Sequence, residues 1–302
     1  MEKLAHLRNI QARLRERAGL INAVRAYFNE HGFMEVETPV VIAAPAPEEY
    51  IEGIAVEDAF LRTSPELQMK QMLCAGYEKI YQVGPCFRKN EFGSRHRPEF
   101  TMLEWYETGS DYFDLLDFTV GLLRFAARRL KDSQQIVYQG ETIDLELDPQ
   151  IISVREAFEK YAGINPDQIA SEAEFDEIMS LKIEPCLGKG RITFLADYPA
   201  ERAALARLKK DDPAVAERWE LYIAGIELAN AYGELLDPHE QRRRFEKSQA
   251  IRAKNGFIPY PFPDDFMKAL ETGMPECSGC ALGIDRLAMI FTDSADISDI
   301  RT

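Results

Sequence analysis

Three segments of the chain place phosphate-binding and ammonium-binding residue types at informative spacings. The first runs from Phe87 to Tyr106. Arg88 follows a strand-like run, Lys79–Val83, and a guanidinium at a strand end can bridge two phosphate oxygens. The same arginine could equally form a surface salt bridge. The loop from Lys89 to Pro98 is charged and contains Gly93. The chain then returns as a second strand in which Thr101, Leu103 and Trp105 alternate with Phe100, Met102, Glu104 and Tyr106. Leu103 and Trp105 suit a packed face. Glu104 and Tyr106 suit a core only if something polar binds there.

The second segment is Gly279-Cys280-Ala281-Leu282-Gly283-Ile284-Asp285-Arg286. Its glycines allow a ligand close to the backbone, and Arg286 falls in the first turn of the next helix, where the dipole favours an anion. A helix-start arginine paired with Asp285 is the plainer reading. The third segment is Gly225 to Glu234. Glu227 and Asn230 are hard oxygen donors of the kind Mg²⁺ takes while bridging phosphates, and Glu234 can neutralise a cation. Strict alternation puts Glu227 and Glu234 on opposite faces, so a shared site requires an irregular strand, with a bulge expected near Gly233. Ordinary solvated carboxylates are the alternative. Cys277 and Cys280 form a lone CxxC without further zinc-type ligands, and read as two unlinked thiols.

The elements that must position these residues are legible in part. Ile10, Leu14, Ile21, Val24 and Phe28 recur at helical spacing, with Gly32 placed to close the helix. Phe33–Thr38 reads as a strand stopped by Pro39, and residues 43–53 as a loop. Ser64 resembles an N-cap with Pro65 at the first helical position, opening a helix to Ala75 and Gly76. Residues 111–131 form an amphipathic helix, 238–256 a charged, exposed one, and Ile284–Phe291 a third. Residues 140–215 carry no readable motif.

With 302 residues, 46% of them hydrophobic, the chain can bury one large core, and one domain over 1–302 is expected. A net charge of −15 argues against broad nucleic-acid binding. No apolar run reaches membrane-spanning length, the N-terminal residues form no signal core, and five cysteines fit reduced thiols; a cytoplasmic location is expected.

Taken together, the segments resemble the signature motifs of class II aminoacyl-tRNA synthetases. Phe33–Pro39 is similar to motif 1, Phe87–Phe100 to motif 2, and Gly279–Arg286 to motif 3. Thr63-Ser-Pro-Glu66, Arg95-His96, Pro98–Glu104 and Gly225–Asn230 are similar to the lysyl subgroup. The resemblance implies an α+β fold, an antiparallel sheet flanked by helices, with a homodimer built through Phe33–Pro39. It implies ATP and Mg²⁺ as cofactors. Arg88, Arg286 and Glu227 would be catalytic, with Glu227 also the metal ligand. Lys89, Asn90, His96, Arg97, Phe100, Leu228, Asn230 and Gly283 would join them around the nucleotide, Phe100 stacking on adenine and His96 and Arg97 lining the triphosphate. Ser64, Pro65, Glu66, Glu104, Tyr106, Glu234 and Ala281 would form the amino-acid pocket.

The motif 1 helix begins almost at the first residue, so no anticodon-binding domain is expected. A freestanding catalytic unit of this kind resembles the elongation factor P–(R)-β-lysine ligase family, as does Ala281, where tRNA-charging lysyl enzymes usually carry glycine. That resemblance implies (R)-β-lysine or lysine as substrate and elongation factor P as acceptor, with no membrane partner. The alternatives are a lysyl-tRNA synthetase-like enzyme activating α-lysine for tRNA or another acceptor, an inactive regulatory paralog, and an aspartate-activating relative, whose pocket should be cationic. Two departures touch the ATP side. The lysyl pattern of Asn-Glu after the motif 2 arginine is Lys89-Asn90 here, with Glu91 one place later, and Arg97 replaces an asparagine.

Overall fold

A computed structural model describes residues 2–169 and 171–302. The chain opens with α1 (Glu2–Asn9) and α2 (Gln11–Glu30). Gly32, at φ +76°, ends α2 by folding the chain back, so that Phe33 N–H donates to Phe28 O. The expected Phe33–Thr38 strand shrinks to β1 (Met34–Glu35). The reason is local: Thr38 N–H donates to the Gln82 side-chain carbonyl instead of continuing the ladder.

A small sheet follows, β2 (Val41–Ile42), β3 (Ala55–Val56) and β4 (Ala59–Leu61), flanking the 43–53 loop. Helix α3 (Glu66–Cys74) begins one residue later than expected. Pro65 stands just outside it, and Ser64 Oγ accepts from Glu66 N–H. Next come β5 (Lys79–Phe87), β6 (Glu99–Thr108) and α4 (Tyr112–Lys131), the last started by an Asp111–Asp114 capping box.

The silent stretch supplies β7 (Gln135–Tyr138), β8 (Glu141–Asp144), β9 (Gln150–Ser153), short helices α5 (Val154–Ala157) and α6 (Glu172–Ile178), and β10 (Thr193–Pro199). Its helices pack Phe158, Phe175 and Ile183 against Leu195 and Tyr222. The chain finishes with β11 (Val215–Ile223), β12 (Ile226–Gly233), α7 (Pro238–Lys254), α8 (Asp264–Glu271), β13 (Cys277–Gly283) and α9 (Ile284–Phe291).

Eight strands form one sheet in the order β1-β5-β6-β13-β12-β11-β10-β9. The inner pairs are antiparallel, and the two outermost pairs, β1–β5 and β9–β10, are parallel. The α+β class therefore holds, with parallel strands added at both edges. One face is packed under α2, α4 and α9, where Phe28, Leu115, Leu122 and Leu287 meet Leu103, Trp105 and Trp219. Burying such side chains contributes about 1.5–3 kcal/mol each. On the opposite face, α3, α7 and α8 cover one end through Leu67, Phe245 and Phe266. Helix α7 is thus not simply exposed, since Gln241, Phe245 and Arg252 are buried.

Candidate active site

Between those helices and the centre of the sheet, β6, β12 and β13 floor a cavity of about 230 Å³. Alternation on β6 turns Phe100, Met102, Glu104 and Tyr106 into it while Leu103 and Trp105 enter the core. The irregularity in β12 falls earlier than expected. Leu221 and Tyr222 on β11 face Ala229 and Glu227, leaving Leu228 as the extra residue. That bulge, rather than one near Gly233, brings Glu227 into the same cavity as Asn230, Tyr232 and Glu234.

One end of the cavity is cationic. Arg286 donates to Glu227 O at 2.8 Å and lies 3.3 Å from its carboxylate. It also contacts His96 Nε2, and because arginine only donates, His96 must accept there and be neutral. Burial and the Arg286 and Arg88 charges lower the His96 pKa to about 4. His96 therefore orients Arg286 instead of adding a charge toward phosphate. Arg88 lies over the Phe100 ring at 5.1 Å and 3.8 Å from Glu91. Arg97 is turned back onto the carbonyls of Gly93 and His96 and pairs with Asp296 at 3.3 Å, although it borders the cavity.

Three of the expected site residues lie outside the cavity lining. Lys89 points to Glu52 at 2.8 Å, and Asn90, in the left-handed region at φ 64°, turns its amide toward the same carboxylate. Neither lines the cavity; Glu91 does. Asn90 stands in a left-handed turn, and of these two neighbours it is Glu91 that reaches the cavity. Pro65 also lies outside the lining, its role being to bring the chain into α3.

The other end is acidic. Glu104 accepts from Ser64 Oγ at 2.8 Å and from Tyr106 OH at 2.6 Å. Burial and the Glu66 charge raise its pKa to about 8. Glu66 and Glu234 share a cation the sequence reading missed. Lys70, one turn along α3 from Glu66, places its buried ammonium 2.5 Å from each carboxylate. Burial pulls the Lys70 pKa down, but Glu234 and Glu66 outweigh it and hold it above the usual lysine range. The pair and its lysine carry one net negative charge, and Glu104 when ionised carries a second. The i,i+4 spacing of Glu66 and Lys70 was the available signal.

Gly279 serves side-chain approach. A Cβ there would collide with the Tyr106 ring and Glu234 Oε1, so its absence lets both lie across β13. Ala281 pairs in register with Glu104 and Asn230, so its methyl borders the pocket. Leu228 and Gly283 also line the cavity.

Glu48, Ile51 and Arg95 line the cavity as well, from loops whose path the sequence did not reveal. Among the described residues no group of three or more His, Cys, Asp or Glu could hold a metal ion. Cys277 and Cys280 are buried free thiols on β13. Glu227 has Glu220 on the neighbouring strand; burial and the Glu220 charge raise its pKa. Buried Asn230 Oδ1 has no hydrogen-bond partner. Glu220, which also accepts from Arg218 and Tyr222 OH at 2.7 Å, Glu227 beside Arg286 and the free amide oxygen are hard donors that suit Mg²⁺, which binds few protein oxygens and completes its shell with phosphate and water.

An antiparallel sheet with arginines at one end of its cavity and carboxylates at the other is the architecture of a class II synthetase catalytic unit. The model for tRNA synthetases class II (D, K and N) matches residues 3–302, and the chain belongs to that family. It is 38% identical to a lysine–tRNA ligase of Moorella thermoacetica, over 94% of this chain and 63% of that protein. A lysine–tRNA ligase of Azoarcus sp. is also 38% identical, with 62% of its length covered. An elongation factor P–(R)-β-lysine ligase of Pectobacterium atrosepticum is 37% identical over 96% of this chain and 94% of that relative. The chain thus spans under two thirds of the lysine–tRNA ligases it matches. No helix among the described residues is long and apolar enough to cross a membrane.

Proposed function

We propose that the chain adenylates a diamino acid, (R)-β-lysine or lysine, and transfers it to a lysine side chain of elongation factor P. The observation carrying the adenylation step is the polarity of one cavity: Arg88, Arg95 and Arg286 at one end, and Glu104 with the Glu66–Lys70–Glu234 group at the other. The first end suits a triphosphate. The second offers the net negative charge of the Glu66–Lys70–Glu234 group, and Glu104, whose ionisation a bound ammonium would favour, to a substrate with two ammonium groups.

In this reading the substrate carboxylate, ionised at neutral pH, attacks the α-phosphorus of ATP and pyrophosphate leaves. No general base is required. Arg88 and Arg286 stabilise charge developing on the phosphates, with His96 fixing the Arg286 guanidinium. Glu227 and Glu220, with Asn230 Oδ1, would hold Mg²⁺, which supplies charge neutralisation on the phosphates. The acceptor's ε-amine then attacks the acyl carbon, forming an amide, expelling AMP and losing a proton. Phe100 offers a ring to adenine on the face that Arg88 leaves free.

The choice of β-lysine is supported by Ala281, whose methyl trims the pocket beside Glu104, and that of a protein acceptor by the likeness to an elongation factor P–(R)-β-lysine ligase. The second reading, α-lysine activated for tRNA, is supported by the lysine–tRNA ligases among the relatives. Pyrophosphate exchange driven by (R)-β-lysine, α-lysine and aspartate separates them. Preference for β-lysine is expected, with Ala281→Gly shifting it toward α-lysine. Preference for α-lysine would favour the second reading, and no exchange an inactive regulatory protein.

A further inference from the structure

Seven carboxylates line the cavity: Glu48, Glu66, Glu91, Glu104, Glu227, Glu234 and Asp285. Six are engaged. Lys70 holds Glu66 and Glu234. Ser64 and Tyr106 hydroxyls donate to Glu104. Arg88 stands near Glu91, and Arg286 pairs with Glu227. Asp285 accepts from Arg17, Arg301 and Thr101 N–H. Among the described residues, the Glu48 carboxylate alone of the seven has neither an ion pair nor a hydrogen bond.

Glu48 is also held in place at some cost. Its loop contains no regular element, yet buried Arg252 of α7 reaches under it. The guanidinium donates to Glu48 O at 2.7 Å, Ile51 O at 2.5 Å and Ile258 O at 3.2 Å. Tyr260 stacks under Arg252 at 3.8 Å, and its hydroxyl joins Ile51 O and Gly53 N–H. Arg252 has no carboxylate partner among the described residues. A buried cation compensated by main-chain carbonyls is expensive to retain, and what it fixes here is the path of the Glu48 loop. Glu48 faces two cavities, the one described and an adjoining one of about 260 Å³ reached past Glu66 and Tyr232.

We propose that Glu48 is a specificity-determining residue whose carboxylate receives an ammonium group of the substrate, and that Arg252 and Tyr260 are positioning residues holding its loop. This rests on the diamino acid reading above. Glu48 stands between the two ends, facing the charges of Arg88 and Glu91 on one side and of Glu66 on the other, and as a carboxylate with no direct partner it is the group an incoming ammonium can engage without displacing one. Burial raises the Glu48 pKa to about 7, consistent with a carboxylate awaiting a cation.

The test is steady-state pyrophosphate exchange by the full chain with lysine and (R)-β-lysine, comparing wild type with Glu48→Gln, Arg252→Met and the double variant. Glu48→Gln should raise the amino-acid KM about tenfold or more, with kcat and the ATP KM changed less than about twofold. Arg252→Met should raise the same KM. The double variant should add little to Glu48→Gln, since both changes would remove one contact. An unchanged amino-acid KM in Glu48→Gln, or a change in the ATP KM instead, overturns the proposal; the latter makes Glu48 a counter-ion of Arg88. If Arg252→Met does not fold, the Glu48→Gln result decides alone. Wild-type exchange with neither amino acid defeats the diamino acid reading itself, a different outcome from exchange that is indifferent to Glu48.

Discussion

Arg88 and Arg286 look alike in sequence, but their surroundings give them different roles. Arg286 is fixed by Glu227 and neutral His96, whereas Arg88 has Glu91 at 3.8 Å and the Phe100 ring beneath it. Replacing either with alanine should lower pyrophosphate exchange by about 10² or more, the loss of one preorganised donor; near-normal exchange would remove that arginine from the chemistry. His96, with its pKa near 4, should contribute no inflection to the pH–rate profile between pH 5 and 8. Glu104 titrates the opposite way. Its folded pKa, about 8, exceeds the ordinary 4.5, so the folded state holds a proton that the unfolded chain has lost. Its contribution to unliganded stability therefore falls as pH rises from 4.5 toward 8. A bound ammonium favours the carboxylate, so amino-acid binding near pH 7 should release protons. Calorimetry in buffers of different ionisation enthalpy would detect this, and the release should vanish above about pH 9.

At the scale of elements, the site depends on one helix and one bulge. Helix α3 delivers Glu66 and Lys70 from a single face, and Glu234 at the end of β12 completes the buried triad. Removing the lysine leaves two close carboxylates uncompensated. Lys70→Met should destabilise the protein by about 3–5 kcal/mol in denaturant unfolding, with part of the loss recovered in Lys70→Met/Glu234→Gln. A loss below about 1 kcal/mol would mean the triad is weakly coupled. The β12 bulge shows how local irregularity creates chemistry, since without Leu228 as the extra residue Glu227 would turn into the opposite face.

For the whole molecule, the strand beginning motif 1 lies at the edge of the main sheet, and Met34, Val41 and Tyr77 remain exposed apolar residues. An unpaired strand edge with apolar neighbours favours association. The proposed homodimer through Phe33–Pro39 should appear in sedimentation velocity as a species of twice the chain mass. Met34→Lys with Val41→Asp should shift it toward monomer. A monomer in the unaltered protein at micromolar concentration would defeat the proposal.

Amphipathic spacing was enough to locate α2, α4 and α9, and alternation was enough to turn Glu104 and Tyr106 away from Leu103, because side-chain direction follows backbone period. Other lining residues, Ser64 and Glu66 among them, were marked as such only by the resemblance to the synthetase motifs. Sequence was silent where geometry depended on distant partners. The stretch 140–215 has no single period because its short helices are stabilised by packing against Leu195 and Tyr222 rather than by their own pattern. Glu91 rather than Asn90 lines the cavity, Asn90 standing in a left-handed turn, and the bulge falls at Leu228 through the pairing of β12 with β11. Which carboxylates were already neutralised was decided only by the tertiary structure, because ion pairing depends on distance in space: Lys70 reaches Glu234 across the fold, and Arg252 carries the Glu48 loop to the cavity.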